Sequence, residues 1–232
     1  MNFFDINNIA FILWDYQISW LELVGTIFNL ACVILAAKRK IATWPVGIIG
    51  VVLFMLLFYQ IRLYADFGEQ IFYFVTSITG WIAWSRARKS GRKKKEVAIT
   101  NNSLKVNLYW AGAIIVGTIL TSIFLFNIDT LLPALFPEPA SLPILDAVTT
   151  MMSFAAQILM MRRKLESWYL WIIVDIMAVG VYWYKGVPFV ALLYFGFLIN
   201  AIYGYMNWRK DYRKSLRKSE QLALEELGTD DE

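Results

Sequence analysis

The sequence predicts an all-α integral membrane protein with seven transmembrane helices, and three observations lead to that prediction. Hydrophobic residues make up 59% and aromatic residues 16% of the 232 residues, and the mean hydropathy is +0.52, far from the composition of soluble domains. The apolar residues fall into seven runs, each near the roughly 20 residues that a bilayer core requires. The third observation is an internal repeat of a unit with three such runs.

The first 20 residues precede the first spanning run. They contain Asp5 and Asp15 but no lysine or arginine, so they lack the basic start of a cleaved signal peptide. Their apolar centre, Ile9 to Trp14, is too short to span a bilayer. We therefore assign residues 1–20 as an N-terminal segment lying in the membrane interface.

Seven spans follow in order, each bounded by charged or helix-breaking residues. The basic residues 38–40 end the first span, and Pro45 stands near the start of the second, where a helix tolerates proline. The basic run Arg86 to Lys95 ends the third, and a proline-rich outer loop, Asn127 to Leu142, follows the fourth. The predicted spans are Leu21–Ala37, Trp44–Ile61, Glu69–Trp84, Val106–Phe126, Pro143–Met161, Trp168–Tyr184 and Pro188–Trp208.

Basic residues collect on one side of this layout. With the amino terminus outside, all but two of the 22 lysines and arginines fall in cytoplasmic segments, the exceptions being Arg62 and Lys185. Because positive charge concentrates on the cytoplasmic side of membrane proteins, this distribution supports both the span count and the orientation. Residues 209–232 form a cytoplasmic tail that is predicted to be a solvated helix. Its basic stretch 209–218 suits anionic lipid headgroups, and its end from Glu220 to Glu232 is acidic.

The internal repeat relates residues 21–86 to residues 145–210 without a gap, at the 124-residue offset that separates Trp44 from Trp168. The same offset aligns the glycines at 80 and 204, the tryptophans at 84 and 208, and two Arg-Lys pairs at 39–40 and 163–164. Because three crossings invert a chain, a fourth is needed before a second bundle shares the first one's orientation. The sequence thus predicts a 3+1+3 parallel repeat: a first three-helix bundle at 21–86, a basic loop, linker helix and outer loop at 87–142, and a second bundle at 143–208.

The composition excludes several classes of function. The chain has no histidine and one cysteine, Cys32, so it lacks the commonest metal ligand, the usual proton shuttle and any intrachain disulfide. No phosphate-binding Gly-x-x-x-x-Gly-Lys loop occurs, the basic residues form no continuous face for nucleic acid, and the last span carries no lysine for a retinal. We predict a protein that is not an enzyme and needs no cofactor.

The run from Trp168 to Asp175 is the leading candidate for a binding site. Helical spacing of three and four residues places Trp168, Trp171 and Asp175 on one face. Asp175 lies about 10 Å beyond Trp168 along a helix, near the midplane, where an unpaired acid costs roughly 2.5 kcal/mol or more. The repeat is broken here, because Gly47 and Val51 stand opposite Trp171 and Asp175. We predict that Trp171 stacks on a flat or cationic ring.

Each residue of this run also has a structural interpretation. Asp175 is equally explained by a hydrogen bond to a neighbouring helix. Trp168 follows three basic residues and has a tryptophan as its repeat counterpart, as expected of an interfacial anchor.

Further polar residues inside the spans are candidate substrate contacts. Side chains that donate and accept hydrogen bonds suit sugar hydroxyls or a carboxamide, although any one of them is also explained by a hydrogen bond between helices. Two pairs differ between the halves, with Gln70 opposite Tyr194 and Thr76 opposite Asn200. The full set is Asn29, Gln70, Thr76, Gln157, Tyr194 and Asn200.

These motifs resemble the PnuC family of bacterial vitamin transporters. The resemblance covers about residues 20 to 210 and rests on Tyr64-Ala-Asp66, Gln70 and Gly80-Trp-x-x-Trp84 in one half, and on Trp168-x-x-Trp171-x-x-x-Asp175 and Gly204-Tyr-x-x-Trp208 in the other. The tryptophan pair with its following acid is the most specific part. Gly50 departs from the polar residue that the family often has there.

The resemblance implies a relative of the SWEET sugar carriers in the bacterial inner membrane, forming a homotrimer. It implies binding of nicotinamide riboside at the midplane, with Trp168, Trp171 and Asp175 as contacts, and facilitated diffusion by alternating access, with phosphorylation in the cytosol trapping the vitamin. Two alternatives remain open. One is a related carrier for thiamine or riboflavin, and the other is an ion-coupled solute transporter that uses Asp175.

Overall fold

The computed structural model describes residues 3–13, 16–61, 64–89, 99–136, 139, 142–184 and 188–228. Within these residues the regular secondary structure is helical apart from one β-hairpin and an isolated β-bridge between Thr100 and Lys164. Several residues used in the sequence predictions lie outside the described part, namely Trp14, Asp15, Arg62, Lys185, the basic residues Arg92 to Lys95, Pro137 and the acidic residues 230–232.

The elements follow one another in a simple order. A hairpin of β1 (Ile9–Leu13) and β2 (Tyr16–Ser19) precedes helices α1 (Trp20–Ala37), α2 (Thr43–Gln60), α3 (Tyr64–Lys89), α4 (Leu104–Phe126), α5 (Ile128–Leu131), α6 (Pro143–Met161), α7 (Glu166–Tyr184) and α8 (Pro188–Gly228). All of the predicted spans coincide with long helices. The largest difference is α8, which does not end at Trp208 but continues through the predicted tail.

The segment predicted to lie in the interface is folded as the hairpin. β1 and β2 pair in antiparallel fashion, with Leu13 opposite Tyr16. Gln60 at the end of α2 fastens the residues before the hairpin, because its side-chain oxygen accepts from the Ile6 amide at 3.1 Å and its nitrogen donates to the Phe4 carbonyl at 2.7 Å. The Ser19 hydroxyl then caps α1 by accepting from the Glu22 amide at 3.1 Å.

Six of these helices are long and apolar enough to cross a membrane: α1, α2, α4, α6, α7 and the Val190–Arg217 part of α8. Helix α3, predicted as a span, is not in this set. Its 26 residues would cross a bilayer, but Asp66, Glu69 and Gln70 near one end and Arg86 near the other make it more polar than its neighbours. The chain is thus a multi-pass helical protein with six clear candidate spans.

The long helices pack as a ring. Neighbours around it are α1, α2, α3, α6, α7 and α8, and α8 closes the ring by packing against α1. Helix α4 lies outside the ring and packs against α6. The ring therefore has two seams where the halves of the chain meet, α1 with α8 and α3 with α6.

Four buried tryptophans fill one end of this ring. In this tryptophan cluster, formed by Trp44, Trp84, Trp168 and Trp208, no ring is more than 3% exposed. Edge-to-face contacts join Trp44 to Trp84 at 5.2 Å and Trp168 to Trp208 at 5.5 Å between ring centroids, and Trp84 meets Trp208 at 6.0 Å. Such contacts add about 0.5–1.5 kcal/mol each to the gain from burial.

The tryptophan cluster is also tied to both seams. The indole nitrogen of Trp84 donates to the Met161 carbonyl at 3.0 Å, and that of Trp208 donates to the Ala36 carbonyl at 3.1 Å. Both acceptors lie at helix ends, where backbone carbonyls have no partner within the helix.

The loops beside the cluster share an unusual backbone conformation. Arg39 and Arg163, one repeat offset apart, have positive φ angles of 54° and 61°, a conformation that costs a non-glycine residue about 1 kcal/mol or more. Arg39 forms an ion pair with Asp211 of α8. The repeat offset relates Asp211 to Ala87 of α3. The α3–α6 seam therefore has no acid at the equivalent position.

Replacing Asp211 with asparagine is expected to destabilise the protein by about 1–3 kcal/mol, the usual cost of losing a charge-assisted hydrogen bond. The two side chains are only 11% and 20% exposed, so water replaces the lost partner incompletely. Thermal unfolding in detergent measures the effect, and a double-mutant cycle with Arg39→Gln isolates the pair. Additive effects of the two substitutions would contradict this role for the ion pair.

Candidate functional site

Helix α7 places three predicted site residues at successive depths inside the ring. Trp168 belongs to the tryptophan cluster and is 2% exposed, so its ring is enclosed by protein and does not contact lipid as an interfacial anchor would. Trp171, one turn further on, is half-buried and packs against the buried core that contains this cluster. Asp175 follows one turn beyond Trp171 and is 5% exposed. The site thus begins where the tryptophan cluster ends.

Asp175 is a buried carboxylate without a local partner. Among the residues that the structure describes, none donates a hydrogen bond to it. The structural alternative, a hydrogen bond from a neighbouring helix, therefore has no donor in this part of the chain. Since an isolated buried charge is strongly disfavoured, Asp175 is suited to a cationic or hydrogen-bond-donating ligand.

Two tyrosines stack on each other in the part of the ring beyond Asp175. Tyr182 of α7 and Tyr194 of α8 stack at 5.3 Å with 14° between their planes. Asp175, Glu69 and Tyr73 all lie within electrostatic range of the Tyr194 hydroxyl. Carboxylates and phenols from three helices therefore converge here.

Glu69, Tyr73 and Tyr182 were not among the predicted contacts. The first two had a detectable signal, because Glu69, Tyr73, Gly80 and Trp84 recur at intervals of four, seven and four residues and so share one face of α3. Glu69 accepts a hydrogen bond from the Thr150 hydroxyl of α6 at 2.6 Å. This contact crosses the α3–α6 seam.

Asn29 reaches the interior because Gly50 has no side chain. A Cβ at Gly50 would lie 2.8 Å from the Asn29 side-chain oxygen, so the glycine that departs from the family pattern makes room for an amide from α1. The Asn29 side-chain nitrogen is buried and has no hydrogen-bond partner in the described chain. An unsatisfied donor costs about 1–3 kcal/mol, which a ligand acceptor would recover.

The other predicted contacts divide into two groups. Asn200 donates to the Val33 carbonyl across the α1–α8 seam at 3.1 Å, and Thr76 donates to the Phe72 carbonyl of its own helix at 2.8 Å. These two side chains already have structural partners. Gln70 and Gln157 are half-buried and have no hydrogen bond within the described residues, so their amides are available to a ligand.

Comparison with known proteins places this architecture in one family. Residues 19–210 match the family model described as "Nicotinamide mononucleotide transporter". The nicotinamide riboside transporter PnuC of Escherichia coli (strain K12) is 31% identical over 235 residues, which cover 92% of this chain and 97% of that protein. The riboflavin/roseoflavin transporter RibM of Streptomyces davaonensis is 28% identical over 217 residues, covering 91% and 96%.

The fold agrees with a solved relative. A crystal structure of the vitamin B3 transporter PnuC superposes with a TM-score of 0.64 at 28% identity, covering 84% of this chain and 83% of that one. The resemblance seen in the tryptophan and glycine motifs is confirmed by these matches. The chain belongs to the nicotinamide mononucleotide transporter family, and it is a multi-pass membrane transporter rather than an enzyme.

Proposed function

We propose that this protein takes up nicotinamide riboside across the bacterial inner membrane by facilitated diffusion with alternating access. The observation that carries the proposal is the face of α7 on which a half-buried indole, Trp171, stands one turn from a buried and unpartnered acid, Asp175. The names of the PnuC relatives support the same substrate.

The chemistry of the riboside matches these groups. Its nicotinamide ring is a flat pyridinium cation, which favours an aromatic face and a nearby carboxylate. Its carboxamide and ribose hydroxyls both donate and accept hydrogen bonds, as the free amides of Asn29, Gln70 and Gln157 do. The ligand thus offers a counterpart to Asp175 and to these three amides.

A nucleotide fits the same interior less well. A phosphate in a buried site requires cationic or multiple hydrogen-bond partners. No lysine or arginine occurs in residues 20–37, 43–60, 66–85, 143–161, 166–184 or 190–208, which make up most of the ring. Asp175 would also repel a phosphate, so the family name's mononucleotide is disfavoured as the substrate of this chain.

A carrier for riboflavin or thiamine is the second candidate, favoured by the similarity to RibM. Titrating the intrinsic tryptophan fluorescence of the purified protein with nicotinamide riboside, thiamine, riboflavin and glucose separates the candidates. We expect quenching by the riboside. Quenching by thiamine or riboflavin alone would overturn the substrate assignment.

We propose a 3+1+3 arrangement of seven spans, with α3 as the seventh and α4 as the linker. The packing order supports it. The repeat pairs α1 with α6 and α3 with α8, so exchanging the two halves of the chain turns the α1–α8 seam into the α3–α6 seam. A matching local detail is that Trp44 packs on Gly80 as Trp168 packs on Gly204. An outer amino terminus, a cytoplasmic carboxyl terminus and a homotrimer complete the proposal, the termini being supported by the distribution of basic residues.

Uncoupled transport makes a direct prediction. Vesicles containing the purified protein are expected to equilibrate nicotinamide riboside with no proton or sodium gradient, because facilitated diffusion needs only the substrate's own gradient. Radiolabelled riboside uptake measures it, with protein-free vesicles as the control. Uptake that requires an imposed ion gradient would support the alternative of an ion-coupled carrier using Asp175.

A further inference from the structure

Helix α8 does not stop at the tryptophan cluster but continues beyond Trp208 as a fixed extension. Two contacts set its rotation about its own axis. Asp211 is paired with Arg39, and Tyr212 packs against the buried cluster. Asn207, one turn earlier, adds a hydrogen bond from its side-chain nitrogen to the Ala37 carbonyl at 2.8 Å.

The side of α8 that carries Asn207, Asp211 and Tyr212 faces the rest of the protein. The basic residues of the extension therefore lie on the opposite side of α8 and face outward. The exposed residues Arg209, Lys210, Arg213, Lys214 and Arg217, together with Tyr205 and Met206, line a surface cleft of about 400 Å³. The single acid in this stretch, Asp211, is already neutralised by Arg39. The outward surface of the extension therefore carries five positive charges and no negative charge between residues 209 and 217.

An apolar strip leads directly into this basic surface. Ile199, Ile202 and Met206 are 56%, 43% and 63% exposed, and their spacing of three and four residues places them on one helix face. In a bilayer such a face contacts acyl chains. Arg209 and Arg213 continue the same face, at three and seven residues beyond Met206.

Two tyrosines lie at the junction of the apolar and basic parts. The Arg209 guanidinium lies 5.7 Å from the centroid of the Tyr205 ring, and the Tyr205 hydroxyl shares a hydrogen bond of 2.8 Å with Tyr169 of α7. Tyrosines of this kind mark the level of lipid headgroups. The Arg209 side chain is thus held at the depth where a lipid phosphate would lie.

We propose that this surface binds an anionic phospholipid of the adjacent leaflet. Arg209 and Arg213 hold the phosphate, Arg217 and the two lysines add to the attraction, and one acyl chain lies along Ile199, Ile202 and Met206. Continuity between the apolar strip and the basic cleft distinguishes a lipid from a soluble anion, which would need the cations alone. The ligand class is a diacyl lipid with net negative charge, such as phosphatidylglycerol.

The test compares lipid retention by the full-length protein and two charge-matched variants. The first is Arg209→Gln/Arg213→Gln/Arg217→Gln. The control, Lys38→Gln/Lys40→Gln/Lys105→Gln, removes three exposed positive charges elsewhere. Native mass spectrometry measures binding of phosphatidylglycerol and phosphatidylcholine. Since one basic residue near an anionic surface contributes roughly a fivefold gain in affinity, the arginine variant should bind phosphatidylglycerol at least tenfold more weakly, and the control should stay within about twofold of wild type.

Three outcomes would overturn the proposal. They are equal binding of both lipids by the wild-type protein, an unchanged arginine variant, and an equal loss in the control, which would show only a general effect of net charge. Competition by millimolar inorganic phosphate that displaces the lipid equally from wild type and a Met206→Gln variant would indicate a soluble-anion site. Met206→Gln leaves every arginine in place and changes no charge, so loss of phosphatidylglycerol binding there supports the acyl contact without relying on the triple variant.

Discussion

Replacing Trp171 with alanine is expected to lower the affinity for nicotinamide riboside about 30-fold. The indole is half-buried, packs against the buried core that contains the tryptophan cluster, and stands one turn from Asp175, so water screens a cation–π contact there only in part. Such a contact contributes about 2 kcal/mol when desolvated, which corresponds to about 30-fold in affinity. Isothermal titration calorimetry measures the loss without relying on the fluorescence of the residue removed.

Helix α7 provides a matched control for this experiment. Trp183 stands at the other end of the same helix and is 72% exposed, so Trp183→Ala should bind the riboside as the wild-type protein does. Trp84 is unsuitable as a control because it is fully buried in the tryptophan cluster. Unchanged binding by Trp171→Ala, or an equal loss in Trp183→Ala, would remove Trp171 from the site.

A conservative variant separates stacking from packing. Trp171→Phe keeps an aromatic face but has a smaller ring with a weaker attraction for cations. Its affinity is expected to lie between those of wild type and Trp171→Ala. If phenylalanine and alanine weaken binding equally, the indole acts through its packing on the cluster and not through contact with the ring of the ligand.

The spans were predictable because each had clear physical boundaries. Pro143 opens α6 and basic residues follow Met161, and the structure has this helix between the predicted limits. The tail was predicted to be a helix, but its continuity with the last span was not, because apolarity marks only the part within a bilayer. Arginine, lysine, glutamate and leucine after Trp208 are all good helix formers, and they carry the helix on to Gly228. The hairpin was missed because short apolar runs do not distinguish strand from interfacial segment.

The site was predictable only in part. Trp171 and Asp175 were found because they break the repeat, a signal contained in the sequence itself. The approach of Asn29 to Gly50 depends on how α1 and α2 pack, and no spacing along the chain encodes that contact. Trp168 illustrates the same limit. Its tryptophan counterpart in the repeat suggested an interfacial anchor, but the ring packs against Gly204 and is buried, which spacing along the chain does not reveal.

Replacing Gly204 with alanine is expected to destabilise the protein by about 1–3 kcal/mol, the usual cost of overpacking a core. A Cβ at this position would lie 2.5–2.7 Å from three atoms of the Trp168 ring. The ring has no room to retreat, because Trp208 packs against it at 5.5 Å. Gly80→Ala should cost a similar amount, since its Cβ would meet the Trp44 ring at 2.5–2.6 Å. Thermal unfolding in detergent measures both.

Gly196→Ala is the control for this prediction, because its effect on stability is not expected to be destabilising. Gly196 lies two turns earlier on α8, and nothing stands within 4 Å of the Cβ it would gain. Alanine there should leave stability unchanged or raise it by up to about 1 kcal/mol, because glycine weakens a helix interior. The same substitution on one helix should therefore act in opposite directions. If Gly204→Ala also stabilises, Trp168 can move away from α8, and the tryptophan cluster is a loose contact instead of a closed end of the ring.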